Sequence, residues 1–293
     1  RNDFTGDGRS DILWRHASDG RNFLWEMDGD LRLVEKQMSS VLDVYKVAGI
    51  GDINADAKAD ILWRHSTDGR NYLWTMNGQE RLSETELPAV SLEFQVVGVG
   101  DTDGDGDVDI LWRHASDGRN YLWTMNGVSR TELQLPTVAN EFRVVGLGDF
   151  NGDGMIDVLW RHGTDGRNYL WAMNGVNRTE TQLLQVSNEF DVAGVGDFDG
   201  DGLADILWRH GTDGRNYLWL MDGATRRSET QLPTVSDQFV VGTIGDFNGD
   251  GTADVVWRHT SDGRNYLWIM NDGDRTSESQ LITVETVWTL IGN

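Results

Sequence analysis

Cysteine is absent from the chain, which excludes disulfides and thiolate metal sites. Proline is scarce, with 3 residues, so each one carries positional information. No apolar run is long enough to span a bilayer. Positive charge is also short: 25 Lys and Arg stand against 48 Asp and Glu, a formal net charge of −23. That balance argues against nucleic acid and anionic membranes as partners, and nothing suggests membrane insertion. The chain starts at Arg1 rather than Met and shows no secretory leader, which reads as a mature or trimmed form.

What is present is repetition. Six near-copies of one segment follow each other, with acidic loops opening at Asp3, Asp52, Asp101, Asp149, Asp197 and Asp246, about 49 residues apart. Each loop leads into an aliphatic-Trp-Arg-His strand, an Asp-Gly turn and an Arg-Asn-Tyr/Phe-Leu-Trp strand. A period near this length, made of short strands only, predicts the blades of a propeller. One blade cannot bury both of its faces alone, so residues 1–293 are expected to form a single all-β domain.

The fourth unit shows the reading. Phe142 to Gly148 is a first strand, rich in β-branched residues. Val158 to His162 is the second and Arg167 to Met173 the third, with Asp165-Gly166 supplying the hairpin turn. Thr179 to Leu184 is the fourth. Glycine pairs such as Gly98 and Gly100 place the first strand at the crowded axis. Pro88, Pro136 and Pro233 end the fourth strands, and proline is tolerated at a sheet edge, so those strands lie outermost. Trp288 to Gly292 matches a first strand without a following loop, whereas Asp3 opens a loop without a preceding strand. The C-terminal strand is therefore expected to complete the N-terminal blade. The result is a six-bladed β-propeller of four-stranded antiparallel blades; a trimmed larger propeller is the alternative. Twelve of the 13 tryptophans recur at two places per unit, such as Trp160 and Trp171. They could stack on sugars, but their position inside strands favours packing between blades.

The loops read Asp-x-[Asp/Asn/Thr]-x-Asp-x-x-x-Asp. Their oxygen donors are Asp3, Thr5, Asp7 and Asp11; Asp52, Asn54, Asp56 and Asp60; Asp101, Asp103, Asp105 and Asp109; Asp149, Asn151, Asp153 and Asp157; Asp197, Asp199, Asp201 and Asp205; Asp246, Asn248, Asp250 and Asp254. Oxygen ligands with several carboxylates select a hard cation, and calcium tolerates such irregular geometry best. Two like charges about 4 Å apart repel by roughly 4 kcal/mol at an effective dielectric near 20, so a cation would relieve each loop. Up to six calcium ions are expected. The second loop is the doubtful one, because Ala55 and Ala57 replace the glycines that let the others curl.

The stretches Gly148-Asp-Phe-Asn-Gly-Asp-Gly154 and Gly245-Asp-Phe-Asn-Gly-Asp-Gly251 resemble the FG-GAP, or VCBS-type, repeats of bacterial surface proteins and integrin α-subunit propellers. The likeness runs through the whole chain. It implies calcium between the first and second strands of each blade, and an extracellular or cell-surface adhesive role. The departures are His in place of Asn after the Arg, and the fixed Asp-Gly-Arg-Asn turn.

That turn is the candidate ligand site. Every histidine sits once per blade, and an Arg-Asn pair follows each turn: His16, Arg21 and Asn22; His65, Arg70 and Asn71; His114, Arg119 and Asn120; His162, Arg167 and Asn168; His210, Arg215 and Asn216; His259, Arg264 and Asn265. The outer strands, by contrast, differ among units. Guanidinium, amide, imidazole and a neighbouring ring suit a sugar or a carboxylate-bearing sugar. The competing reading is structural, with Arg paired to the turn Asp and Asn capping the loop. The Arg after each Trp is assigned to structure. One histidine per blade is a poor basis for a zinc site. The functional expectation is a calcium-stabilised, multivalent lectin that binds a glycan or polysaccharide. The alternatives are a protein-binding adhesion domain of a larger cell-surface protein or, less favoured, a polysaccharide lyase. No residue set confined to one blade suits catalysis, so no enzyme is expected.

Overall fold

Each repeat folds as a four-stranded antiparallel sheet, and six such sheets form a ring in the computed structural model, which describes residues 2–292. Blade four comprises Phe142–Gly148, Asp157–His162, Asn168–Asn174 and Asn177–Leu183 in that order from the axis outward. The outer strand starts two residues earlier than expected, because Asn177 already pairs with Asn174 across a two-residue turn. The described residues contain no helix.

The ring closes as the sequence suggests. Trp288–Ile291 pairs antiparallel with Ile12–His16, so the C-terminal strand supplies the innermost position of the first blade.

At the axis, the inner strands approach too closely for side chains on both partners. A Cβ on Gly98 would lie 1.9 Å from Leu147 Cδ1, and one on Gly146 would lie 2.3 Å from Val195 Cγ2. The side chain of the next blade occupies the space that each glycine leaves. Farther out, the core is shared between neighbours: Leu111 and Leu122 of blade three pack with Val158, Trp160, Trp171 and Met173 of blade four. The repeated tryptophans belong to this packing. Trp160 and Trp171 meet at 4.8 Å between ring centroids, and each is 1% exposed.

Candidate metal and ligand sites

The first-place aspartates fold the acidic loops around themselves. Asp149 accepts from the N–H of Gly152 at 2.7 Å and of Gly154 at 2.8 Å. Asp3, Asp101, Asp197 and Asp246 receive the same pair of bonds. Asp52 takes Asp56 and Ala57 instead. The fifth-place residues Asp7, Asp56, Asp105, Asp153, Asp201 and Asp250 each accept from the N–H two residues on. The ninth-place residues Asp11, Asp60, Asp109, Asp157, Asp205 and Asp254 are buried and join two parts of the blade. Asp157, for example, accepts from Phe150 N–H at 3.0 Å and from Met173 N–H at 2.9 Å. Burial pushes its carboxyl up to about 6, and those of Asp11, Asp60, Asp205 and Asp254 up to about 7.

These loops also join the blades. The eighth-place N–H donates to the first-place carbonyl of the preceding blade all round the ring, from Ala59 to Asp3 at 2.6 Å through to Ser10 to Asp246 at 2.6 Å. The fixed loop sequence therefore has a structural purpose beside any cation.

The third-place residues Thr5, Asn54, Asp103, Asn151, Asp199 and Asn248 differ in what they offer. Three carboxylates converge within 4.8 Å in two loops, Asp101 with Asp103 and Asp109, and Asp197 with Asp199 and Asp205. That oxygen set suits a hard divalent ion. In blade five the guanidinium of Arg227, on the outer strand, bonds Asp199 and lies 2.7 Å from Asp201. In blade two, Ala55 and Ala57 hold φ of 55° and 67°, so the loop takes the glycine path at a strain of about 1–2 kcal/mol per residue.

The hairpin residues divide into interior and surface groups. Asn22, Asn71, Asn120, Asn168, Asn216 and Asn265 are fully buried and present no surface to a ligand. Asn168 accepts from Arg161 at 2.9 Å and donates to the carbonyls of Gly166 and Leu184. The histidines sit in the crook of the turn: His162 Nδ1 lies 3.2 Å from the N–H of Asp165 and 3.0 Å from its carboxylate. His65, His114, His210, His259 and the slightly more open His16 repeat this arrangement. Each imidazole also meets an inner-strand ring edge-on, as His162 does with Phe142 at 4.7 Å. Arg21, Arg70, Arg119, Arg167, Arg215 and Arg264 remain at the surface, each paired with its turn aspartate. All but Arg70 lie over the inner-strand ring, with Arg167 5.4 Å from the Phe142 centroid.

The arginine after each second-strand tryptophan is structural, as assigned from sequence. Arg161 reaches the carbonyls of Ser187 and Phe190, on the chain entering blade five, at 3.0 and 2.8 Å. Its guanidinium lies 5.0 Å from the Trp208 centroid in that blade. The same stacking links Arg15 to Trp63 and continues round to Arg258 over Trp14.

Sequence reading missed one repeated set. Outer-strand Arg32, Arg81, Arg130, Arg178, Arg226 and Arg275 each lie over the third-strand tryptophan of their own blade, at 4.0 to 4.9 Å. Each pairs with Glu35, Glu84, Glu132, Glu180, Glu229 or Glu278. The spacing is two residues in blades three and four and three residues elsewhere, which hides the match in a linear reading. A bulge in the outer hairpin of blades one, two, five and six absorbs the added residue. These pairs line clefts of about 260 Å³ between a blade and the segment arriving from the blade before, around Trp257 and Tyr266 in blade six, and of similar size in blades one and four.

Fold comparisons agree with a propeller. A chain in the crystal structure of a nidogen/laminin complex is 14% identical, with a TM-score of 0.59, covering 96% of this chain and 97% of that one. The Tc holotoxin pore of Photorhabdus luminescens is 16% identical with a TM-score of 0.59, over 91% of this chain and 14% of that one. The Cps50 (Swd1) β-propeller domain of Myceliophteria thermophila is 12% identical with a TM-score of 0.55, over 97% and 86%. No curated protein sequence matches. The model of the FG-GAP-like repeat matches residues 3–63, 52–112, 101–160, 149–208 and 197–257. The chain belongs to the FG-GAP-like repeat family, whose propeller is a binding- or adhesion-type module. No helix among the described residues is long and apolar enough to cross a membrane.

Proposed function

We propose that this propeller is a calcium-stabilised extracellular module that binds carbohydrate through equivalent sites on its blades. The observation that carries the reading is the recurrence, in five of the six blades, of a surface arginine over an aromatic ring, Arg167 with Phe142 in blade four. Such a pair combines planar donors with an apolar face, as sugar recognition requires. Repetition offsets weak single-site affinity, since multivalent display raises avidity by roughly 10² to 10⁴. A catalytic site would need one asymmetric constellation, and the repeated groups supply none, so we read the module as non-enzymatic.

Calcium would sit in the acidic loops, held by the first-, third-, fifth- and ninth-place oxygens. Its role would be to neutralise the carboxylates that fold each loop, whose first-place backbone carbonyl joins the next blade. Blade five carries Arg227 against the same carboxylates, so its site is expected to be among the weakest.

Glycan-array screening followed by calorimetry tests the reading. Binding to a defined glycan with several sites per chain is expected, and no glycan binding refutes it. A protein ligand is the second reading, favoured by the likeness to a chain of a nidogen/laminin complex. Capture of a cell-surface protein without glycan binding would establish that reading instead.

A further inference from the structure

The clefts between blades are polar and aromatic, and sequence reading did not single them out. In blade six the cleft is bounded by Trp257, Arg264, Tyr266, Trp268, Arg275 and Glu278. Its volume of about 260 Å³ lies just below the roughly 300–1,000 Å³ typical of drug-sized ligands, which fits a single sugar unit. Three observations bear on what fills it.

The first is the bulge. An added residue between Arg275 and Glu278, relative to Arg178 and Glu180, would send one side chain to the opposite face of the strand. The shift between Ile269 and Met270 restores both to the Trp268 side, where Glu278 accepts from the indole N–H at 2.7 Å and Arg275 stacks at 4.9 Å. The pair is thus held in place across two strand lengths. The second is the other indole. Trp14, Trp63, Trp112, Trp160, Trp208 and Trp257 are each buried with an N–H that has no partner. Three of these, Trp14, Trp160 and Trp257, border the clefts described above. Buried donors are normally satisfied, and here the same unpaired donor recurs in every blade as a fixed polar feature of the wall beside the cleft. The third is charge. Arg264 pairs with Asp262 at 2.8 Å and Arg275 with Glu278 at 2.6 Å, leaving the cleft with no net charge inside a protein of net charge −23.

We infer that the clefts between blades are the carbohydrate sites, and that each takes one neutral sugar unit rather than an acidic one. This rests on the carbohydrate-binding reading above and moves the contact from the hairpin histidines and asparagines to the outer-strand Arg–Glu pairs. A guanidinium and a carboxylate side by side offer donors and acceptors to adjacent hydroxyls. Tyr266 supplies a half-buried ring for the apolar face of the sugar.

The indole N–H resonances of the intact protein in calcium give the test. It is titrated with methyl glycosides of neutral hexoses and, separately, with methyl galacturonide. Neutral glycosides are expected to shift the paired tryptophan signals of the blades. The double variant Arg178→Met with Glu180→Gln keeps an acceptor for Trp171 but removes the ion pair. In it, Trp160 and Trp171 should lose their response, with affinity at that site down at least about tenfold, while the other blades respond as before. If this variant melts well below the wild type, Glu180→Gln alone gives the same comparison. Neutral glycans that bind without moving these indoles, or an unchanged response in the variants, overturn the cleft assignment and leave carbohydrate binding intact. Preference for the galacturonide overturns the charge argument. No glycan binding of any kind overturns both readings.

Discussion

Replacing Arg161 by Met tests whether the arginine ring links the blades. Arg161 is 1% exposed. It donates to Asn168 Oδ1 at 2.9 Å and to the carbonyls of Val186, Ser187 and Phe190 at 3.3, 3.0 and 2.8 Å. Methionine would keep much of the volume and strand all four acceptors. A buried polar group left unpaired costs about 1–3 kcal/mol, but water can reach some of the linker carbonyls, so roughly two full penalties are expected. Losing the stack on Trp208 adds about 1 kcal/mol. The total is about 5 kcal/mol. At roughly 2–4 °C per kcal/mol for a domain near this size, scanning calorimetry in millimolar calcium should show a fall of about 10–20 °C. Arg167→Met is the control. Arg167 pairs with Asp165 at the surface, where an ion pair contributes about 0.5 kcal/mol, or about 2 °C. The reasoning fails if Arg161→Met melts within about 3 °C of the wild type, or if the two variants lose equal stability.

Gly166→Ala should be more damaging than its size suggests, because Gly166 has φ of 76° and a Cβ there would lie 1.9 Å from the carbonyl oxygen of Val186. A loss of about 3 kcal/mol or more is expected in urea unfolding, and a neutral result would contradict the turn-linker contact. Ala55→Gly with Ala57→Gly should raise the melting temperature by a few degrees, since relief of the left-handed strain, about 1–2 kcal/mol each, exceeds the added chain entropy of about 0.4–1 kcal/mol. Chelation should lower the melting temperature, because calcium at tenfold excess over its dissociation constant adds about 1.4 kcal/mol per site; an unchanged melt counts against calcium stabilisation. The pH dependence has a defined sign. The ninth-place aspartates have folded pKa values raised to about 6 or 7 by burial, so their contribution is fully present below the unfolded value near 4 and is lost as pH rises through 6 to 7. In chelator, stability should therefore decline between about pH 5 and 8, while the calcium-induced gain grows, because the ion binds the carboxylate form. A calcium gain independent of pH over that interval would show that these carboxyls do not hold the ion.

The repeat alone determined the six blades, their four-strand order and the closing strand, because each depends on local pattern. Glycine pairs marked the axis, proline marked the outer edge, and an unmatched Trp288–Gly292 segment could complete only the blade that lacked a first strand. The residue types of the acidic loops were equally plain. Tertiary structure decided what the fixed hairpin is for. Asn168 recurs because the chain leaving the blade runs over the turn and offers it the Leu184 carbonyl, a contact between segments distant in sequence, while His162 fills the crook of the turn against Phe142 of the inner strand. Tertiary structure also decided that the acidic loops bind the neighbouring blade as well as their own carboxylates. The outer-strand Arg–Glu pairs stayed hidden for a geometric reason: a bulge changes their linear spacing while keeping both side chains on one face, so only paired strands in space bring them into line.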